Sequence, residues 1–168
     1  MSNIRRSWSK RGKRTVYQNQ QEFANRYLYS AIDPIIGDSF HLAGLDDTAT
    51  IVTDIFLSEL QSVFPNEHLV IVWDNAPFHK SKLLCRSNMT LISLPSYSPQ
   101  LNPIERFFGE MRKFTANRIF KEGIVQLEKI IDSAVVKLHN NKDAMKKLTG
   151  YDWIKDQWNR ASEFYKTI

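Results

Sequence analysis

The stretch from His68 to Lys113 most constrains what this chain can fold into. Within it an unbroken apolar run, Leu69 to Trp73, stops at a carboxylate, Asp74, and turn residues follow. Such a run reads as a strand buried on both faces, with the acid at its C-terminal tip. In open α/β sheets ligands bind along that edge. A second strand, Met89 to Leu94, comes next, and then a crossing that carries Pro95, Pro99 and Pro103 into a helix. Each proline fixes its own φ and biases the residue before it toward extended geometry, so the crossing is a stiff strap. The helix is signalled by Asn102 as N-cap, Pro103 at the first helical position and Glu105 three residues after the cap. The strap sets the position of Glu105, and both acids are expected at one place.

Each acid also has a purely structural reading. Glu105 can be the reciprocal partner of Asn102 in a capping-box-like arrangement, favoured in a first turn by the helix dipole. Asp74 can form a strand-end turn with Asn75. His79 and Lys80, shortly after Asp74, are candidates for phosphate contact or for orienting a ligand, and His79 can instead start a short helix.

Two segments, WDNAPFHKSK and LPSYSPQLNPIERFF, resemble the catalytic core of mariner-like DDE transposases and their bacterial insertion-sequence relatives. The resemblance runs from about Trp8 to Asn117, and the two motifs are specific in this order and separation. It implies that Asp74 is the second catalytic acid and Glu105 the third, both ligating Mg²⁺ (or Mn²⁺). Two departures, Ser96 where a second proline is common and Phe108 where a tryptophan is usual, touch neither carboxylate. The implied fold is an α/β, RNase H-like (DDE integrase-type) mixed sheet flanked by helices. The family's first aspartate belongs just before Trp8-Ser9-Lys10-Arg11-Gly12, and Met1 to Ile4 offer no acid. The resemblance therefore implies an N-terminally truncated catalytic domain, with an upstream polypeptide supplying the first strand and Asp. Asp33, at a hairpin turn, is a poor substitute because antiparallel strands place it at the opposite end of the sheet.

Phosphoryl transfer on DNA needs one oxygen activated and another stabilised, which two divalent ions about 3.5–4 Å apart can do. Hard Mg²⁺ takes carboxylate oxygens and keeps several waters, so few protein ligands suffice. By resemblance the substrates are transposon ends and target DNA, and a homodimer is the common working state. The rival reading is a catalytically inactive remnant that binds DNA without cutting it; a general RNase H-like nuclease, indifferent to end sequence, is a third.

Charge supports a nucleic-acid partner. The formal net charge of the 168 residues is +5, and Arg5, Arg6, Lys10, Arg11, Lys13 and Arg14 crowd the first 14 with no acid among them. The rest of the chain is close to neutral. A basic arm suits a phosphate backbone, whose neutralisation releases counterions; the alternative is a solvated terminus with no partner. Trp8 either stacks on a base or packs on the sheet. No apolar run approaches the length of a membrane span and no signal peptide opens the chain, so a soluble, cytoplasmic protein is expected. A lone cysteine, Cys85, makes no internal disulfide and reads as a packed apolar residue.

The remaining pattern fills out the domain. Tyr27 to Ile32 and Ser39 to Leu45 read as a hairpin turning at Asp33-Pro34 and Gly37. Thr48 to Val63 has the three-four apolar spacing of a helix, capped by Asp47 or Thr48. Ile104, Phe107, Phe108, Met111 and Phe114 give the next helix its apolar face. Ile124 to Leu138 and Ile154 to Ile168 read as two further helices whose apolar stripes are core or lid packing, with Lys142 to Lys147 a solvated helix or loop. Residues 1–120 are expected to form the partial catalytic domain, and 121–168 C-terminal helices packed on it.

Overall fold

The computed structural model describes residues 10–13, 26–45, 49–80, 84–116, 120 and 122–166. A hairpin of β1 (Tyr27–Ile32) and β2 (Ser39–Leu45) leads through α1 (Thr50–Val63) to β3 (Leu69–Trp73), then to β4 (Met89–Ser93) and the helices α2 (Ile104–Thr115), α3 (Gly123–His139), α4 (Lys142–Thr149) and α5 (Asp152–Lys166). β1 and β2 pair antiparallel, and β3 and β4 pair parallel. Among the described residues the two pairs remain separate two-stranded sheets.

The hairpin is the middle layer. Alternation along its strands sends Tyr29, Ala31, Phe40 and Leu42 to one face, where they pack with Phe56, Leu57 and Leu60 of α1 and with Trp73 and Met89. Leu28 and Ile32 point the other way, into a second core built on Phe107, Met111, Ala134, Val135 and Met145. Phe107 and Leu57, both fully buried, lie at the hearts of the two cores. His41, opposite Ser30 in the register, stacks on Phe107 at 4.9 Å between ring centroids and bonds the Ser30 hydroxyl through Nδ1 at 2.9 Å.

The hairpin tip is fixed from both sides. Asp33 Oδ1 accepts from the Ile35 and Ile36 amides at 2.7 and 3.0 Å, so this carboxylate is committed to the turn. Gly37 is buried with φ +82°, and a Cβ there would drive into the main-chain carbonyl of Lys142. Beside it Lys142 pairs with Asp38.

Several expectations need correcting. β3 is buried on one face, not both: Trp73 and partly Leu69 and Ile71 meet the first core, while Val70 and Val72 are 58% and 47% exposed. The second apolar face borders a groove of about 650 Å³ that all of β1 also lines, and neither β1 nor β3 has a second strand partner there among the described residues. The segment after His139 is a helix, α4, capped by Asn141 Oδ1 on the Ala144 amide at 3.0 Å, and its Met145 is fully buried. Cys85 is exposed because its neighbour Leu84 takes the buried position. Trp158, expected to pack, is 56% exposed. Ala49 occupies the N-cap of α1 and makes no side-chain cap bond; Asp47 and Thr48 lie outside the described residues. Helix α1 is held to the chain before β4 by Arg86, which donates to Asp54 Oδ1 and Ser58 Oγ, both at 2.7 Å.

Candidate functional site

Asp74 follows β3 directly, and the ladder carries one bond beyond β4, from the Leu94 amide to the Trp73 carbonyl at 2.8 Å. From there the strap folds back over the strand tip. Asn75 Nδ2 donates to Ser96 Oγ at 3.0 Å, tying strand end to strap. Ser96, one of the two departures from the family pattern, thus supplies an acceptor that proline could not. Tyr97 turns the chain with φ 58° and a ring fully in solvent. A 3-10 turn, Pro99–Leu101, then delivers Asn102 to the start of α2.

The helix begins one residue later than the sequence suggests, with Pro103 at the N-cap position, yet Asn102 still caps it by accepting from the Ile104 amide at 3.3 Å. The Asn102 amide itself donates to the Pro99 carbonyl at 3.0 Å. No reciprocal capping-box bond to Glu105 is made, so the Glu105 carboxylate is not spent on the helix end. Among the described residues the cation that meets it is Arg112, one oxygen 3.9 Å from Nη2 across half-exposed side chains, a contact of little energetic weight.

Asp74 and Glu105 line the same cleft of about 370 Å³, walled by the strap from Leu94 to Pro99. Asp74 Oδ1 accepts from the Ala76 amide at 3.1 Å and from His79 Nδ1 at 2.9 Å, so the expected turn-forming role is also filled. Oδ2 has no partner among the described residues. His79 sits in a 3-10 turn, Pro77–Lys80, with its ring stacked on Trp73 at 4.2 Å and 2° between planes. Lys80 closes that turn. Sequence reasoning had no signal for the Asn75 to Ser96 tie, which depends on two loops meeting 21 residues apart.

Two carboxylates facing one polar-walled cleft suit a hard divalent cation, whose remaining coordination water can fill. Among the described residues no three His, Cys, Asp or Glu side chains are grouped closely enough to hold a metal by themselves. Asp33, weighed as a substitute for the family's first acid, is bound into its turn and does not line the cleft.

Of the basic arm, Lys10, Arg11 and Lys13 are exposed on a turn closed by the Lys13 amide donating to the Lys10 carbonyl at 3.0 Å, with Gly12 at φ 83° in its third position. Arg5, Arg6 and Arg14, like Trp8, lie outside the described residues. A separate apolar cavity of about 440 Å³ between β1, α2 and α3 contains neither cleft acid. Among the described residues no helix is long and apolar enough to cross a membrane.

This arrangement of strands and helices is that of an RNase H-like α/β domain. The Mos1 transposase in its paired-end complex with the left transposon end has the same fold, with TM-score 0.54 at 16% identity over 89% of this chain and 52% of that one. The Mos1 strand transfer complex matches with TM-score 0.53 at 14% identity, over 90% and 51%. The chain therefore spans about half the length of the Mos1 polypeptides it resembles. In sequence it belongs to the DDE superfamily endonuclease family, which matches residues 1–124. An uncharacterised protein, y4pE/y4sA of Sinorhizobium fredii (strain NBRC 101917 / NGR234), is 36% identical over 99 residues, covering 57% of this chain and 73% of that one.

Proposed function

We propose that this chain is the catalytic part of a transposase, cutting DNA at insertion-sequence ends and joining the freed ends to target DNA. The observation that carries the reading is that Asp74, at a strand tip, and Glu105, in the first turn of a helix 31 residues on, line one cleft. Membership of an endonuclease family supports the reaction class. DDE enzymes use divalent metals, and Asp74 with Glu105 would hold Mg²⁺ (or Mn²⁺) here. When bound, such ions activate the attacking oxygen and stabilise the leaving one. The chain's own residues do the positioning. The strap holds Glu105 against the tip of β3, and Ala76 and His79 fix one oxygen of Asp74 so that the other remains for a ligand.

DNA is the proposed partner, with Arg5, Arg6, Lys10, Arg11, Lys13, Arg14 and Lys80 on its phosphates. His79 faces Asp74, which favours orientation of that acid over phosphate contact. The groove between β1 and β3, apolar and bordered by two strand edges that have no further partner among the described residues, supports an upstream polypeptide supplying a further strand and the first Asp. The core shared by α2, α3 and α4 supports residues 121–168 packing on the catalytic part, residues 1–120, as one domain. A homodimer acting in the cytoplasm completes the reading.

The test is Mg²⁺- or Mn²⁺-dependent cleavage of transposon-end DNA by the chain alone and joined to a segment that would supply the proposed first strand and Asp, with Asp74→Ala as control. Cleavage at the ends, lost in Asp74→Ala, is expected from the joined form. The alternative reading is an inactive remnant that binds DNA without cutting it. Inactivity of both forms would favour that reading, and cleavage indifferent to end sequence would indicate a general nuclease.

A further inference from the structure

We infer that His79 is a positioning residue that locks the Asp74 carboxylate in its metal-accepting orientation, an inference that rests on the metal-site reading above. His79 Nδ1 lies 2.9 Å from Asp74 Oδ1 and 3.2 Å from the Asp74 main-chain carbonyl oxygen. Both neighbours accept hydrogen bonds and neither can donate one, so Nδ1 must carry the proton. The ring cannot turn away easily. It lies flat on Trp73, 4.2 Å between centroids and 2° between planes, and Trp73 is itself 8% exposed and held in the first core.

The consequence is a chain of fixed parts from the core to the acid. The α1 core holds Trp73, Trp73 sets the plane of His79, and His79 sets the rotation of the Asp74 carboxylate. The Ala76 amide, 3.1 Å from the same Oδ1, adds a second donor. With Oδ1 holding both donors, Oδ2 is the oxygen left for a cation. Without the imidazole, the carboxylate keeps, among the described residues, only the amide bond, on a side chain 68% exposed, and swings between rotamers. Groups that orient a ligating carboxylate typically contribute 10–100-fold in metal affinity.

The experiment measures Mn²⁺ binding to the full chain by loss of the free-ion electron paramagnetic resonance signal, alongside thermal melting, for wild type, Asp74→Ala, His79→Phe and His79→Asn. Phenylalanine keeps a ring on Trp73 and removes the donor; asparagine places an amide N–H where Nδ1 stood. His79→Phe is expected to bind Mn²⁺ at least about tenfold more weakly than wild type with its melting temperature preserved, and His79→Asn to recover most of the loss. Nitrogen-15 NMR of the wild-type ring is expected to show the Nδ1-protonated tautomer. Wild-type affinity in His79→Phe, equal weakening in both His79 variants, or unfolding of both, would overturn the positioning role while leaving the metal site standing. Undiminished binding in Asp74→Ala, or none in wild type, would overturn the metal-site reading and this inference with it.

Discussion

The two sheets have the same number of strands and opposite surroundings. The hairpin of β1 and β2 is covered on both faces, by α1 on one side and by α2, α3 and α4 on the other. The pair of β3 and β4 is covered on one face, leaving Val70, Val72 and Ile92 between 46% and 58% exposed. The acids belong to the less finished side: Asp74 ends β3, and its cleft opens beside the apolar groove. Close packing is concentrated in the hairpin layer, and room for a ligand or a further strand lies at the parallel pair.

The sharpest way to break this comparison is to remove Phe107, which is fully buried beneath the hairpin. Phe107→Ala should cost about 3–5 kcal/mol in urea unfolding, as expected for an aromatic side chain lost from a closed core. A loss near that of a surface site would mean that the second core collapses freely and is no more finished than the parallel pair.

The next effect probes the same core through pH. Burial, and after it the neighbouring His139, lowers the pKa of His41 from 6.5 to about 4. His41 Nε2 is buried without a hydrogen-bond partner among the described residues, consistent with a ring kept neutral. As the pH falls through this window the unfolded chain takes up a proton that the native state refuses. The stability set by this group is therefore complete above about pH 6.5 and declines toward pH 4, by on the order of 2–3 kcal/mol. Unfolding free energies measured across that range should show the slope in wild type and not in His41→Phe. A flat wild-type profile would mean that the hairpin layer admits protons and water.

On the parallel side the effects should be smaller. Ser96→Ala removes the acceptor for Asn75 and should cost about 0.5–1.5 kcal/mol, read by the same unfolding curves. Val70→Thr and Val72→Thr should each change stability by less than about 0.5 kcal/mol because they are surface substitutions. Their readout is self-association: unpaired edges and exposed valines should make the chain oligomerise when alone, and sedimentation should show the paired threonine variant shifting toward monomer. A wild-type chain that sediments as a monomer would erase the contrast between the sheets.

Much of this was legible in the sequence, for reasons visible in single residues. The hairpin strands carry alternating apolar residues for two cores and turn at Asp33-Pro34 and Gly37, so both ends are marked. Asp74 and Glu105 could be assigned to one place because a strand tip and a proline strap leave little freedom between them. The family motifs supplied the chemistry proposed for these acids, which spacing alone left open. The exposure of Val70 and Val72 was illegible: an apolar run states that a strand has two greasy faces, not that both are covered. Helix α4 was one of the two forms expected for Lys142 to Lys147, but its burial was not foreseen: Met145 and Leu148, three residues apart among lysines, are too short a stripe to register as a core face. The stacking of His79 on Trp73 was also out of reach, since it requires the 3-10 turn to bring the ring back over its own strand.

The close approach of Gly37 to the Lys142 carbonyl has a consequence for assembly of the chain. If β2 slipped by one residue against β1, Ile36 or Asp38 would occupy that position, and a side chain would strike the start of α4. Every residue of β2 would at the same time present the wrong face. A helix laid down about a hundred positions later thus proofreads the register of the first hairpin: a misaligned ribbon has nowhere to dock, and the correctly aligned one closes on it like a key seated in its lock.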